Sequence, residues 1–395
     1  MTRLVSRVGT GRLSGVDRVE AAYLRHALDR TPEAFGLVRT HAGYLLLGQD
    51  GLARLRQGVE DSTKPWDAPD LLSRLARHRA TPRARVESSL RKLAVGRSVH
   101  WGLARMLRRA LPEGAHYLNV GETNLTDRVI SALRRLPGSR IDVVLHDTIP
   151  LDLPEMVTPA SRRRFAARFD HLRRDVDRII TATEQVKTQA MAHLGTDGTR
   201  PDWCVAPFGL DLATPETDAA ATRGLSAPYF LALGTLEPRK NLELLLDTWR
   251  LAAAELGPAV PTLVLCGARG WLPPEAFAAL EANPLYGRKI VEINGASDHH
   301  VAGLMSGAQA LLFPTRAEGF GFPALEAAAR GVPVICSDLP VFRETLGTLP
   351  VYLSPDDSYA WLSIIKQAGA KPEHRERPDL TERFTWERHF AQVFG

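Results

Sequence analysis

The second half of this chain alternates two patterns, and that alternation limits its possible folds more than any other feature. Short apolar runs of strand length recur: YFLALG (229–234), TLVLCG (262–267), KIVEING (289–295), ALLFPT (310–315), PVICSD (333–338) and VYLS (351–354). Between them lie stretches with helical spacing, of which LELLLDTWRLAAAEL (242–256) is the clearest. Runs that are apolar at nearly every position must be covered on both faces. Alternating with helices, they predict βαβ units and a parallel sheet with helices on either side. Ser297 or Asp298 is suited to cap the helix after KIVEING. Ligands of such sheets bind beyond the carboxyl ends of the strands.

The first half is less regular. TRLVSRV reads as a first strand and GVDRVEAAYLRHAL as a helix entered through Ser14-Gly15. Further strands are expected at FGLVRT, GYLLLG, HYLNV, IDVVLHD and RIITAT. The 395 residues suit two domains, with loop-like GTDGTRPD (195–202) and PETDAAATRGLSAP (215–228) marking the passage between them. No window approaches the roughly 18 apolar residues of a membrane span. MTRLVSRVGTGRLSG has no apolar h-region, so no secretory signal is expected. Cys204, Cys266 and Cys336 form no CxxC pair, which makes a reducing cytoplasm the expected compartment.

Charge separates the halves. Residues 1–205 carry 34 Lys+Arg against 23 Asp+Glu, a net of +11, and the remainder carries 16 against 22, a net of −6. Arg74 to Arg109 holds eleven basic residues and one acid, Glu87. Such asymmetry points to an anionic partner for the first half, either a membrane surface or nucleic acid, or else to a well-solvated arginine-rich surface. The Arg74–Arg109 stretch itself suits anionic lipid headgroups, an acidic glycan or phosphorylated core, or plain solubility. Nucleic acid would call for aromatic stacking residues among the arginines, and only Trp66 and Trp101 lie near, so none is expected.

EGFGFPALEA (318–327) carries the chemistry. Glu318 falls in the loop after ALLFPT, Pro323 fits the first position of a helix, and Glu326 then lies in its first or second turn. Gly319 and Gly321 allow a sharp bend and close approach of backbone to a ligand. The free N–H groups of a helix start favour an anion such as phosphate. Two carboxylates flanking that site can accept hydrogen bonds from sugar hydroxyls.

The longer stretch TRAEGFGFPALEAAARGVPVICSDLPVFRE resembles the glutamate-x7-glutamate signature of retaining glycosyltransferases of family four, most specifically over residues 226–346. LHDTIPLDLPE (145–155) is similar to the His-Asp loop of that family, VAPFGLD (205–211) to the entry into its second domain, and GTLEPRKN (234–241) to its phosphate-clamping motif. FTWERHF resembles its C-terminal helix. The resemblance implies an α/β GT-B fold, with two Rossmann-like domains facing a central cleft. Residues 1–206 would bind acceptor, with 376–395 crossing back onto them, and residues 207–375 would bind donor. It implies retaining transfer from a UDP- or GDP-linked sugar to a glycan or lipid-linked acceptor, in bacterial surface polysaccharide or glycolipid assembly. No metal and no other cofactor is required by that scheme.

The site residues follow from the same resemblance. Arg239 and Lys240 would neutralise the donor diphosphate, Glu318 would hold the sugar hydroxyls, and Glu326 would bind the ribose. Gly15, Gly319 and the backbone amides of Phe320, Gly321 and Phe322 would line the donor site. His146 would reach the transferred sugar and Asp147 would face the acceptor. Thr235 stands where many relatives have arginine, which leaves the clamp to Arg239 and Lys240. A peripheral position on the inner face of the plasma membrane would suit Arg74–Arg109. Asp175-Val176-Asp177 has a DxD form but lacks a glycine-rich loop and reads as surface, as do His299-His300. The rival readings are a GT-B epimerase or phosphorylase, and a glycoside hydrolase, which would also use two carboxylates but needs no phosphate clamp.

Overall fold

In the computed structural model all six apolar runs of the second half become strands. Residues 1–10, 13–31, 33–61, 63–77, 81–195, 201–217, 224–225, 228–368 and 379–395 are described. Parts of the two expected linker loops and residues 376–378 of the expected crossover lie outside them. The chain separates into two compact units. One comprises Met1–His146, Arg164–Thr181 and Leu194–Cys204; the other comprises Asp147–Arg163, Ala182–His193 and Val205–Gly395.

The first unit holds two sheets. Strands β1 (Gly36–Thr40), β2 (Gly43–Leu47) and β3 (Ala94–Ser98) form an antiparallel sheet. Strands β4 (His116–Asn119), β5 (Arg140–Leu145), β6 (Arg178–Thr181) and β7 (Asp202–Val205) form another in that order, and β4, β5 and β6 pair in parallel.

The expected first strand, TRLVSRV, is instead a helical turn, Thr2–Val5. Leu4, Val5 and Val8 are all buried in one cluster with Val38 and Leu45. An extended strand would send adjacent Leu4 and Val5 to opposite faces, whereas a helical turn sends both to the same core. The helix over Gly15–Arg30 forms as expected, with Ser14 and Asp17 closing a capping box. β3 was not anticipated, because it runs through the arginine-rich stretch.

In the second unit the strands are β8 (Tyr229–Leu233), β9 (Thr262–Cys266), β10 (Ile290–Ile293), β11 (Leu311–Phe313), β12 (Val334–Ser337) and β13 (Val351–Leu353). They make one sheet of order β10-β9-β8-β11-β12-β13, parallel throughout. The helix Leu242–Leu256 covers it with buried Trp249, which packs with Phe230, Leu263 and Trp361 in a single core. Winding reverses between β8 and β11. At such a switch point the loops leaving two adjacent strands diverge and open a crevice. The loops leaving β8 and β11 carry GTLEPRKN and TRAEGFGF.

Candidate active site

Gly234 ends β8 with φ +137°, and a Cβ there would lie 3.1 Å from Lys240 Cε, so the glycine leaves room for the lysine stem. After it, Pro238–Lys240 form one 3-10 turn and Asn241 takes the left-handed conformation before the helix Leu242–Leu256. The Arg239 backbone is tied across the switch point, its carbonyl accepting from Arg316 N–H at 2.7 Å and from Thr315 Oγ1 at 3.1 Å. The two loops are thereby held as one structure.

Their side chains meet. Glu318 Oε1 accepts from Arg239 Nη1 and Lys240 Nζ, each at 2.5 Å, and from Thr315 Oγ1 at 3.1 Å. Lys240 Nζ also lies 4.3 Å from the centroid of the Phe313 ring. Burial alone would raise the Glu318 carboxyl, but the attraction of Arg239 and Lys240 overcomes it and holds the group at about 2. Burial pushes Lys240 down despite Glu318. Arg239 is raised: burial would lower it, but the charges of Glu318, Glu237 and Asp147 outweigh that cost. The field of Asp147 therefore reaches the clamp.

Glu237 was missed. It is buried, and its Oε1 lies 2.6 Å from Arg239 Nε. Thr315 was missed as well. Both were visible as polar residues at strand-end loops, yet only the fold shows that they converge on one guanidinium and one carboxylate.

Gly321 caps the helix Phe322–Ala329 with φ +85°, and a Cβ there would lie 2.6 Å from the Phe342 ring. Phe322 takes the first helical position and Pro323 the second, one place later than expected; Glu326 is buried in the second turn. Among the described residues, the amides of Gly319, Phe320, Gly321 and Phe322 donate no hydrogen bond. Phe320 and Phe322 stack around Phe208 at 5.3 and 5.9 Å, and Phe384 flanks Phe320 at 5.7 Å. The loop rests on aromatic rings while its N–H groups stay available. The C-terminal helix Trp386–Phe394 belongs to this unit, with His389 Nδ1 3.0 Å from the Ala206 carbonyl.

Two predicted residues lie in the other unit. Gly15 is the first residue of its helix, beside Asp17, which is paired with Arg3 at 2.5 Å and Arg7 at 2.9 Å. His146 is buried, and its Nε2 donates to the Val120 carbonyl at 2.8 Å. Burial lowers its pKa although Glu122 opposes this, so the imidazole is neutral near pH 7. Asp177 of the DxD sequence is structural: it accepts from Ile141 N–H at 2.6 Å and pairs with Arg134 at 3.0 Å. His299 and His300 bond the Thr214 carbonyl and Glu216. Among the described residues no group of three or more His, Cys, Asp or Glu is placed to hold a metal ion.

Comparisons with known proteins bear on the family and the fold. The family described as glycosyl transferases group 1 matches residues 227–368. Serotype-specific mannosyltransferase WbdA of Escherichia coli is 29% identical over 258 residues, covering 59% of this chain and 31% of its own length. O-antigen chain mannosyltransferase B of Escherichia coli is 32% identical over 172 residues, covering 42% of this chain and 45% of its own. The chain thus spans less than half the length of these relatives. Among solved structures, Anabaena HepE in complex with UDP-glucose superposes with a TM-score of 0.66 at 17% identity, over 97% of this chain and 95% of that one. Sucrose-phosphate synthase from Thermosynechococcus elongatus gives 0.55 at 21% identity over 70% and 71%. The fold is therefore GT-B, and residues 227–368, which hold the second unit's sheet and the helices between its strands, are similar to the glycosyl transferases group 1.

Proposed function

We propose that this protein is a retaining glycosyltransferase that moves a sugar from a nucleoside-diphosphate donor to a hydroxyl of a glycan or lipid-linked acceptor, in bacterial surface polysaccharide assembly. One observation carries the reading: at the switch point of the second unit, Arg239 and Lys240 are gathered on Glu318 beside a helix start with unused amides. The developing charge of such a reaction is the departing diphosphate, and preorganised cations placed where it grows supply the largest catalytic term. Glu318 is ionised at neutral pH and suited to accept from sugar hydroxyls once the diphosphate takes over its cations. Glu326 on the helix is assigned to the ribose. His146 and Asp147 are assigned to the acceptor side. The clamp's own charges serve the leaving group, so the proposed reaction needs no metal.

The mannosyltransferase relatives favour a mannosyl donor, while HepE was solved with UDP-glucose; both donor classes belong in the test. Thermal melting with UDP, GDP, dTDP, CMP and ADP in parallel separates them. A ligand at 100 times its Kd stabilises the fold by about 2.7 kcal/mol. One clear responder, followed by sugar transfer from the matching nucleotide sugar in the presence of EDTA, is the expected result. No response at millimolar concentration removes the donor reading.

The domain assignment, acceptor to 1–206 with 376–395 and donor to 207–375, is part of this proposal, as are a cytoplasmic location and peripheral contact with anionic membrane. Within Arg74–Arg109, several basic residues are committed to structure: Arg83 pairs with Glu87, Arg91 with Asp70 and Lys92 with Asp67. Others line an open groove of about 650 Å³, among them Arg97, Arg105 and Arg109 with Phe35, Val95 and Val99, and no acid lies in its wall. Trp101 beside it is 89% exposed. Among the described residues no helix is long and apolar enough to cross a membrane. An exposed tryptophan among arginines suits an anionic interface. Cosedimentation with vesicles containing phosphatidylglycerol, lost in Trp101→Ser with Arg97→Glu and Arg105→Glu, is expected; equal binding by wild type and variant would remove the membrane contact.

A further inference from the structure

We infer that Glu237 is a positioning residue of the clamp, one that sets both the direction of Arg239 and the net charge the diphosphate meets. The inference rests on the transferase reading. Arg239 has its backbone carbonyl fixed by Arg316 N–H and Thr315 Oγ1. Its guanidinium is then gripped on two sides. Glu237 takes Nε at 2.6 Å, while the Ala317 carbonyl and Glu318 take Nη1 at 3.0 and 2.5 Å. Nη2 makes no hydrogen bond to a described residue, which leaves it as the donor a phosphate oxygen can take. A planar fork held on its other edges presents that donor in one orientation.

Glu237 is itself held. It precedes Pro238, and its carbonyl accepts from Lys240 N–H at 2.9 Å, so one residue anchors the turn through its backbone and the arginine through its side chain. It is 4% exposed. A buried carboxylate is retained only with a partner, and here the partner is the clamp arginine. Burial raises the Glu237 carboxyl while Arg239 and Lys240 oppose that rise. With Glu237 ionised the four groups Glu237, Arg239, Lys240 and Glu318 sum to zero, and without its charge they sum to +1. A cluster of +1 holds a nucleoside diphosphate more tightly, in reactant and product alike, and binding that is uniform does not speed the chemical step. Glu237 therefore trades affinity for orientation and release.

The test separates charge from placement. Titration calorimetry with UDP and GDP and steady-state kinetics are run on wild type, Glu237→Gln and Glu237→Asp, with melting curves for each. Glu237→Gln removes the charge, and the responding nucleotide should bind about tenfold tighter while kcat falls about tenfold. Glu237→Asp keeps the charge but withdraws the carboxylate by one methylene, and it should leave diphosphate affinity within about twofold while lowering kcat. Damage to folding alone would weaken binding and turnover together in both variants, and that outcome overturns the inference. So does an unchanged affinity and kcat in Glu237→Gln. Failure of wild type to bind any nucleotide removes the transferase reading and this inference with it, and is told apart by occurring before any substitution.

Discussion

Glu318→Ala should lower kcat by about 10²–10³-fold while the responding nucleoside diphosphate binds as well as, or better than, it does to wild type. Glu318 is the shared acceptor of Arg239 and Lys240. Removing it frees both cations for the diphosphate, so affinity for the leaving group survives. What is lost is the carboxylate that holds the sugar as positive charge develops at the anomeric carbon. Two buried cations without their acceptor also cost stability, about 3–5 kcal/mol where a buried pair is broken. Glu318→Gln, which keeps an oxygen acceptor, controls for that cost. A loss of diphosphate affinity parallel to the loss of kcat would refute this division of labour.

The same carboxylate makes acid a second readout. Its value in the folded protein is about 2, below the ordinary 4.5. A depressed carboxylate contributes stability that is complete above about pH 4.5 and is lost as pH falls toward about 2, because the unfolded chain takes up the proton first. Wild type should therefore lose more stability across that interval than Glu318→Ala. Denaturant titrations at pH 6 and pH 3 measure the difference.

Arg239→Ala combined with Lys240→Ala should abolish the thermal shift by nucleoside diphosphate and lower kcat/KM by about 10³-fold or more. The two cations converge on one carboxylate from one 3-10 turn, so a diphosphate entering there meets both at once. Their removal leaves Glu237 and Glu318 close together without counter-charge, and like charges in a buried site raise one of the pair until it is protonated. The variant should accordingly be more stable near pH 5 than near pH 8, the reverse of what two paired carboxylates give. Salt provides an independent check: wild-type affinity for diphosphate should weaken as ionic strength rises, and the variant should show little dependence. Diphosphate binding that persists in the double variant would mean that the phosphates are held elsewhere, by the helix amides alone.

The second-half sheet was legible because its determinants are local. Each of the six mostly apolar runs appears as a strand where its residues placed it, with β9, β11 and β12 buried throughout and the edge strands β10 and β13 only partly. Helix starts were legible for the same reason: Ser14 and Ser297 cap through their own side chains within three residues. The glutamates of EGFGFPALEA and the Arg239-Lys240 pair could be picked out by type and by resemblance. Tertiary structure decided the rest. TRLVSRV has β-branched residues in plenty, yet burial of Leu4 and Val5 on one side makes it a helical turn. Arg74–Arg109 reads as one basic stretch, but Asp70, Asp67 and Glu87 remove three of its charges and β3 runs through it. Above all, strand order decided the site. No spacing along the chain says that the loops after β8 and β11 are neighbours, since nearly 80 residues separate Arg239 from Glu318. That adjacency arises where winding reverses, and it turns a surface Arg-Lys pair, an unnoticed Glu237 and a loop glutamate into one buried, ion-paired cluster.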